Sequence, residues 1–500
     1  MFKYAFLVLF IVIMVAIGLY SKKKITNVQD FLLGGRKMGP WISAFAYGTT
    51  YFSAVIFIGY AGRTGWNFGI SSTWVGIGNA VLGCWLAWKV LAKKTRKMTH
   101  ELNASTMPEF FEKRYNSKSM KIVAALIIFV FLVPYTASVY QGLGYLFETS
   151  FGIPFEYCMM AMAALTGIYL LLGGYVATAI NDFVQGLIMI AGLVLMVVFI
   201  MSHPAVGGLA GGISKLSVIP EAGAGLVKVF SSNPLNLLGL IVLTSMGTWG
   251  LPQMVHKFYA IKDDSAIKKA TIISTIFSLL IAGAAYFVGA FGRLFLNNTP
   301  PVDGGRANLD MVMPQVLEMA MPDSLMGIIL ILVLSASMST LASLVLVSSS
   351  AISMDLFKGT LFPGMSNAKV MIIMRILCVV FIAFSLVVAI IPTAILTLMS
   401  FSWGTIAGCF LAPFLYGLYW KGTTRAGAWS GLVVGFCVSI GGSIITGMNA
   451  QYAPNIGAIA MFASLIVVPL VSKLTVKYPD KYIEKIFEGT PNERKLVIDA

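Results

Sequence analysis

Charged residues are scarce in this sequence. Only 11% of its 500 residues are Asp, Glu, Lys or Arg, against 58% apolar residues and a mean hydropathy of +0.85. A water-soluble protein of this length has too little interior to hide so much apolar surface, whereas a lipid bilayer is itself an apolar solvent. The composition therefore excludes a soluble protein and predicts an all-α polytopic membrane protein.

Other absences narrow the function. The five cysteines are scattered through apolar stretches, which excludes a disulfide framework or a cysteine metal site. No glycine-rich loop ends in Gly-Lys-Ser or Gly-Lys-Thr, so this chain does not draw its energy from ATP. Only Asp182 stands deep in an apolar stretch, without a partner base, so we do not expect an enzyme.

Apolar runs of about 20 residues recur along the whole chain, and a helix of this length crosses the hydrocarbon core of a bilayer. We count about thirteen such runs by that length rule. The predicted spans are residues 2–20, 40–62, 70–92, 121–147, 155–173, 178–202, 235–256, 270–292, 323–352, 371–391, 393–419, 426–447 and 455–472.

The basic residues predict how these spans are oriented. If the N-terminus lies outside, thirteen spans leave the C-terminus in the cytoplasm, and 29 of the 35 Lys and Arg residues fall on the cytoplasmic side. This asymmetry is the positive-inside rule, and it accounts for the net charge of +15 without a nucleic-acid partner. We expect a multi-pass protein of the cell membrane, with no obligate protein partner.

Two predicted spans are interrupted near their middle, at residues 48–54 and 247–252. Unwound backbone is tolerated at membrane depth only where protein or a cavity satisfies it, and paired interruptions mark the binding site of secondary transporters. Spans two to six and seven to eleven would form two halves of five, inverted relative to each other. We predict a first helix with its loop at 1–38, core halves at 39–202 and 203–423, and two peripheral helices with a short tail at 424–500.

The ninth predicted span carries small and hydroxyl residues along one face. Ala336, Ser339, Thr340 and Ser343 follow the spacing i, i+3, i+4 and i+7. Such a stripe also lets membrane helices pack closely, which is the alternative interpretation.

The interruption of the second span favours an ion-binding role for that stripe over a packing role. Unwinding at 48–53 would free the carbonyls of Thr49 and Phe52, which would join one carbonyl and two hydroxyls of the ninth span. A cage of five uncharged oxygens suits sodium better than a divalent ion, which calls for carboxylates. We predict Na+ as the coupling ion, bound by Thr49, Phe52, Ala336, Ser339 and Thr340.

Asp182 lies one turn into the sixth predicted span. An ionisable residue at membrane depth is expensive and by default functional, but an acid in the first turn of a helix is also favoured by the free amides and the helix dipole. As a functional residue it would line the cytoplasmic ion exit or share a second ion site with Ser343. We assign Asp182 and Ser343 to ion coupling.

The candidates for solute contact are polar and aromatic residues at mid-membrane depth. No Lys or Arg lies at the predicted centre of any span, so half-helix amides and hydroxyls would have to hold an anionic group. Tyrosine and tryptophan also commonly fill gaps between helices. The candidates are Tyr51, Ser53, Ala54, Tyr135, Gln141, Thr244, Thr248 and Trp249.

Several stretches together resemble one transporter family: residues 31–41, 172–175, 182–185, 337–340, 348–356 and 420–427. By them the sequence is identified as a member of the sodium:solute symporter family. The resemblance implies thirteen helices, a leucine-transporter-type core of five plus five inverted helices, and sodium-driven uptake. It places the main sodium site on the same five residues and the family's acidic residue on Asp182. Some members hold a second sodium with two further hydroxyls, and Ala342 here lacks one of them.

Two groups of carriers within the family resemble different parts of the chain. Much of the chain, including residues 146–152, is similar to the sodium/proline carriers, but those carriers have an acid in place of Tyr51 and aromatics in place of Thr244 and Thr248. Residues 50–54, 57–59 and 250–252 look more like the sodium/pantothenate carriers.

This second likeness sets the predicted solute. We predict sodium-coupled symport of a small carboxylate, pantothenate-like or a monocarboxylate. The alternative is a proline-like amino-acid symporter, and a channel or a solute sensor on the same scaffold is a further one.

Overall fold

The computed structural model of the chain describes residues 2–22, 28–220, 222–303, 305–391 and 393–488, and it is built from helices. The α-helices are Phe2–Lys22, Val28–Leu33, Pro40–Tyr51, Ala61–Phe68, Thr73–Gly78, Lys93–Glu101, Met107–Tyr115, Lys118–Phe151, Phe155–Ser202, Gly208–Ser217, Gly223–Leu226, Pro234–Met246, Pro252–Ala260, Asp264–Ser278, Ala284–Gly289, Gly292–Phe295, Val312–Ala320, Asp323–Ser350, Asn367–Ile390, Ile395–Tyr419, Arg425–Ile445, Ala453–Leu474 and Asp480–Glu488.

Several of these helices are joined end to end by other helical turns. The π-helical stretches are Val55–Tyr60, Asn79–Leu86, Trp88–Ala92, Leu279–Gly283 and Ala351–Leu361. The 3₁₀ turns are Gly34–Arg36, Gly69–Ser72, Gly247–Trp249 and Leu309–Met311. Within the described ranges the strands are Val302–Asp303 and Arg306–Ala307, which pair antiparallel.

The architecture is that of a membrane protein. Within the described part of the chain, ten helical stretches are long and apolar enough to cross a bilayer, and Phe6–Ile17 and Phe155–Ile168 are shorter apolar helices. The fifth and sixth predicted spans lie in one helix, Phe155–Ser202, of 48 residues. At 1.5 Å per residue it measures roughly 72 Å, more than twice the thickness of a core of about 30 Å, and it lacks the turn that the sequence predicted between these two spans. The predicted all-helical membrane fold is confirmed.

The helix Asp323–Ser350, here named the serine helix, lies at the centre of the bundle. In the segment that contains it, 89% of the most apolar window is inside the protein, against 33% for the neighbouring helix Asn367–Ile390. Every residue from 332 to 350 is buried. Its hydroxyls therefore face other helices rather than lipid, and must find partners there.

The second predicted span is interrupted more narrowly than its sequence suggested. The helix Pro40–Tyr51 runs through most of the predicted break, Phe52 is extended (φ −110°, ψ 108°), and the chain resumes as the π-helix Val55–Tyr60. The break is thus confined to Phe52 and Ser53. We call Pro40–Phe68 the first interrupted segment. Its π-helical turn beside the break is a feature that is often found at functional sites.

The seventh predicted span is interrupted where expected. After Pro234–Met246 and a 3₁₀ turn, Leu251 is extended (φ −82°, ψ 121°), and a new helix, Pro252–Ala260, begins. Pro252 disfavours a helical conformation at the residue before it and has no N–H to donate to the preceding turn. We call Pro234–Ala260 the second interrupted segment.

The ends of the two interrupted segments are fastened to each other by backbone. The Met38 amide donates to the Ala260 carbonyl and the Lys262 amide to the Met38 carbonyl, both at 3.1 Å. The next helix then begins at the Asp263 carboxylate, which accepts from the Ala266 amide at 2.7 Å. That amide lowers the pKa of Asp263, because it stabilises the charged form.

A glycine substitution tests how closely the peripheral helix Arg425–Ile445 packs against Ile395–Tyr419. A Cβ on Gly435 would collide with the backbone of Gly408, whereas one on Gly441 of the same helix meets nothing within 4 Å. We expect Gly435→Ala to cost about 1–3 kcal/mol through overpacking and to lower the melting temperature in detergent. Gly441→Ala, the matched control, should be neutral or stabilising, since alanine favours helices. Equal melting temperatures would contradict this packing.

Candidate ion and solute sites

The backbone groups released at the first break are satisfied by the serine helix. In a continuous helix the Ala54 amide would donate to the Thr50 carbonyl. It donates instead to Ser337 Oγ at 3.2 Å. The Thr49 carbonyl accepts hydrogen bonds from Ser339 Oγ at 2.8 Å and Thr340 Oγ1 at 3.2 Å. Interrupted backbone at membrane depth is therefore paired with protein.

Four oxygens converge at this contact, and we call them the hydroxyl cluster: the carbonyls of Thr49 and Ala336 and the hydroxyls of Ser339 and Thr340. Each hydroxyl oxygen also lies 3.1 Å from the Ala336 carbonyl. All four residues are fully buried. A hydroxyl can rotate its proton away and present a lone pair. The cluster can therefore surround a small hard cation with neutral oxygens.

Phe52, the fifth residue of the predicted cage, is placed differently. Its ring stacks on Tyr51 with centroids 4.3 Å apart. Within the described residues, the serine-helix hydroxyls donate to the carbonyls of Thr49 and Thr50 and not to that of Phe52. Thr50, whose carbonyl lies 3.2 Å from Thr340 Oγ1, was missed by the sequence analysis, which placed the break too early.

Asp182 has a partner, and the expectation that it stands alone is wrong. Lys257 Nζ lies 3.7 Å from Asp182 Oδ2, with both side chains at most 2% exposed. Lys257 follows the predicted end of the seventh span by one residue. Its helix, however, stays buried from Pro252 through Ala260, so the lysine lies inside the protein and not at its rim.

The same ammonium contacts Ser343, the other residue assigned to ion coupling. Lys257 Nζ lies 3.0 Å from Ser343 Oγ and 5.3 Å from the centroid of the Tyr175 ring. Ser343 Oγ in turn lies 3.0 Å from Thr50 Oγ1. The structure thus brings Asp182 and Ser343 to one place, with a lysine ammonium within reach of both.

A small cavity lies beside the break in the first interrupted segment. Its volume is about 20 Å³, room for about one water molecule. Four of the predicted solute-contact residues line it: Tyr51, Ser53, Tyr135 and Thr244. The other lining residues, which the sequence did not predict as solute contacts, are Phe52, Val55, Ile56, Tyr60, Asn79, Tyr286, Met399 and Trp403. None of these side chains carries a formal charge.

Aromatic rings hold the walls of this cavity together. Trp403 packs edge-on to Tyr135, with ring centroids 5.6 Å apart, and lies 6.1 Å from the Tyr51 ring at 26°. Tyr51 Oη donates to the Thr244 carbonyl at 2.6 Å. That bond joins the first interrupted segment to the second, so the cavity wall spans both.

The remaining predicted solute residues use their polar atoms elsewhere. Gln141 Nε2 donates to two carbonyls at the end of a neighbouring helix, each at 3.1 Å. Thr248 Oγ1 and Trp249 Nε1 each donate, at 3.0 Å, to a carbonyl of the π-helix Asn79–Leu86. The Cβ of Ala54 packs where a side chain on Gly142 would lie. The structure does not bring these four residues to the cavity lining.

A larger polar cavity of about 450 Å³ opens at the face that carries Arg63. Its wall includes Thr64, Leu240 and Leu396. About one helical turn deeper on the same three stretches lie Tyr60, Thr244 and Met399, which line the small cavity. At the other end, beside Tyr259, the cavity measures only about 10 Å³. Of these two outer cavities in the described part of the chain, the one on the Arg63 face is the wider.

Comparison with known proteins shows the family of this chain. The profile of the sodium:solute symporter family matches residues 31–435. A sodium/proline symporter of Salmonella typhimurium is 32% identical over 429 residues, covering 84% of each chain. A sodium/proline symporter of Staphylococcus aureus is 31% identical over 497 residues, covering 96% of this chain and 94% of that one.

A solved structure of a Na+-coupled sialic acid symporter superposes with a TM-score of 0.77 at 19% identity, over 94% of this chain and 98% of that one. The fold is that of the leucine-transporter-type secondary carriers. The chain belongs to the sodium:solute symporter family. It is a sodium-coupled solute symporter and not an enzyme, and sodium is its co-substrate rather than a resident cofactor.

The face with the polar cavity can be assigned by labelling. Asn67 is an exposed residue of that cavity, and the Lys97 side chain is 60% exposed on the face predicted to be cytoplasmic. In intact cells, we expect a membrane-impermeant maleimide to label Asn67→Cys but not Lys97→Cys, which should react only after permeabilisation. The parent chain, with its native cysteines, sets the background. The reverse pattern would invert the predicted orientation.

Proposed function

We propose that the chain takes up a small zwitterionic amino acid, proline or a close analogue, together with one sodium ion. Two observations support the solute. Relatives that are 31–32% identical are named sodium/proline symporters. In addition, the small cavity, which would have to widen to admit a solute, is lined by rings, hydroxyls, aliphatic side chains, a thioether and one amide, with no formal charge. Burying a charged group without a partner is costly, and a lining that supplies no counter-ion favours a solute whose own opposite charges can partly offset each other.

We assign the sodium ion to the hydroxyl cluster. The contact between the Thr49 carbonyl and the serine helix is the main support for this assignment. Ser339 and Thr340 both reach the Thr49 carbonyl across the helix interface. Within the described residues, no group of three or more His, Cys, Asp or Glu side chains gathers to hold a metal. Neutral oxygens with no cluster of carboxylates suit a monovalent ion.

Ion binding at this place would favour the state that admits solute. A sodium ion shared by the Thr49 carbonyl and the two hydroxyls ties the first interrupted segment to the serine helix. The small cavity lies on that same segment, only two residues along the chain from Thr49. The coupling is reciprocal, so bound solute must tighten sodium by the same factor. Rocking of one helix bundle against the other then exposes both to the cytoplasm.

The energy of one sodium suffices for this solute. Crossing 100 mV contributes about 2.3 kcal/mol per charge, and a tenfold gradient adds about 1.4 kcal/mol. For a solute without net charge the sum supports about 500-fold accumulation.

A small carboxylate remains the second candidate, because residues 50–54 carry the likeness to the pantothenate carriers. A monoanion moving with one sodium carries no net charge, so the membrane potential adds nothing and accumulation stays near tenfold. The relatives and this difference both favour the amino acid.

The domain limits and the orientation also remain proposals. Both breaks lie near the middle of their segments, at Phe52–Ser53 and at Leu251. Breaks at matching places are expected if residues 39–202 and 203–423 are inverted repeats. The bias of basic residues supports an outer N-terminus and a cytoplasmic C-terminus.

Removal of two hydroxyls tests the ion assignment. Ser339→Ala combined with Thr340→Ala should raise the sodium concentration for half-maximal uptake at least tenfold, because each hydrogen-bonding ligand to a charge contributes about 1.5–3 kcal/mol. The order of preference among solutes should stay the same. Ser348→Ala is the matched control, since that hydroxyl lies buried on the same segment without a hydrogen-bond partner. An unchanged sodium response in the double variant would misplace the ion.

Uptake into proteoliposomes tests the solute. An inward sodium gradient should drive accumulation of labelled L-proline, and an inside-negative potential should increase it, because one net charge enters per cycle. Labelled pantothenate and lactate serve as the competing solutes under the same gradients. Sodium-driven uptake of either carboxylate, without uptake of proline, would favour the second candidate. Equal uptake on a proton gradient alone would overturn the ion.

A further inference from the structure

We propose that the Lys257 ammonium is a built-in second cation. It occupies the place between Asp182 and Ser343 that a second sodium would need, and it thereby fixes the coupling at one sodium per solute. The inference rests on the sodium symport proposed above, and deepens it by setting the stoichiometry.

The charge balance at this place requires a cation. The Asp182 side chain is 1% exposed, and a carboxylate buried to that degree is very unfavourable without a counter-charge. Lys257 Nζ, 3.7 Å away, supplies that charge from within the chain. The pair is neutral as a whole, so a sodium ion added there would meet an ammonium instead of a free carboxylate.

The oxygens around the ammonium are those that a sodium ion would use. Ser343 Oγ lies 3.0 Å from Lys257 Nζ, and Thr50 Oγ1 lies 3.0 Å from Ser343 Oγ. With the Asp182 carboxylate they form a set of hard oxygen ligands. Neither oxygen of that carboxylate accepts a hydrogen bond within the described residues, so both remain available as ligands once the ammonium is removed.

The lysine is connected to the hydroxyl cluster through adjoining contacts. Ser343 lies one helical turn beyond Ser339 and Thr340 on the serine helix, about 5.4 Å along its axis. Thr50 contacts both places, because its hydroxyl meets Ser343 at 3.0 Å and its carbonyl accepts from Thr340 at 3.2 Å. Lys257 belongs to the second interrupted segment. Each interrupted segment is thus attached to the serine helix through a cation position, one for a mobile ion and one for a tethered ammonium.

Counting bound sodium tests this directly and needs no solute. Binding of ²²Na⁺ to purified protein should saturate at one ion per chain for the parent and for Lys257→Arg, which keeps the cation. Lys257→Ala should bind two, because Asp182, Ser343 and Thr50 are then free. Lys257→Ala with Asp182→Asn should return to one. Two ions on the parent, or one on Lys257→Ala, would overturn the proposal.

A further set of variants tests this inference separately from the proposed function. Ser339→Ala with Thr340→Ala should remove the single ion of the parent chain, but should leave one ion when Lys257→Ala is added. Loss of the first ion without gain of the second keeps the main site and overturns the tethered cation.

The ratio of sodium flux to proline flux in proteoliposomes tests the stoichiometry independently. With ²²Na⁺ and labelled L-proline, the parent should move one sodium per proline. A ratio of two in the parent would overturn the stoichiometry while leaving sodium-driven uptake intact, whereas no proline flux at all would count against the proposed solute. Should Lys257→Ala fail to fold, Lys257→Met, which keeps the length of the side chain without its charge, should bind two ions, and one ion on that variant would overturn the inference.

Discussion

The structure depends on hydrogen bonds between the serine helix and the backbone groups that one broken helical turn leaves unpaired. Phe52 and Ser53 interrupt a helix at a depth where water does not reach, and an unpaired carbonyl there would cost several kcal/mol. The Ser339 and Thr340 hydroxyls donate hydrogen bonds to the Thr49 carbonyl, and the Ser337 hydroxyl accepts one from the Ala54 amide. The break is therefore stable only while the two helices stay in register. Any ion that strengthens this contact also holds the first interrupted segment in place.

This single contact places the proposed ion site beside the proposed solute site. The hydroxyl cluster lies on one face of the break, and Tyr51, Phe52 and Ser53 line the small cavity on another. A shift of the segment by a fraction of a helical turn would alter both places. Tyr51 extends the connection to the second interrupted segment through its bond to the Thr244 carbonyl. Two residues of non-helical chain thus couple elements that lie about 190 positions apart in sequence.

Local signals made part of this predictable. The clusters of glycine, threonine and proline revealed both breaks, and the spacing of Ala336, Ser339 and Thr340 revealed a polar face on a buried helix. The first break was placed too early, because Gly48 and Thr49 are tolerated within a helix whose far side is packed by Phe277. Lys257 and Trp403 were missed, since their roles arise from contacts with distant parts of the chain, which no local pattern contains.

The proposed ion site, the Asp182–Lys257 pair and the small cavity are related by their charges. The hydroxyl cluster is neutral, the Asp182–Lys257 pair is neutral, and the lining of the small cavity carries no formal charge. A sodium ion entering the cluster therefore adds a positive charge that no nearby side chain offsets. The carboxylate end of a zwitterion in the adjacent cavity would attract the ion locally, and the ion would hold that carboxylate in turn, although the two together still carry one net positive charge. Sodium and solute then each make the other's site favourable, as reciprocal coupling requires. A free carboxylate at Asp182 would compete for this role, and the proposed tethered ammonium would prevent that competition.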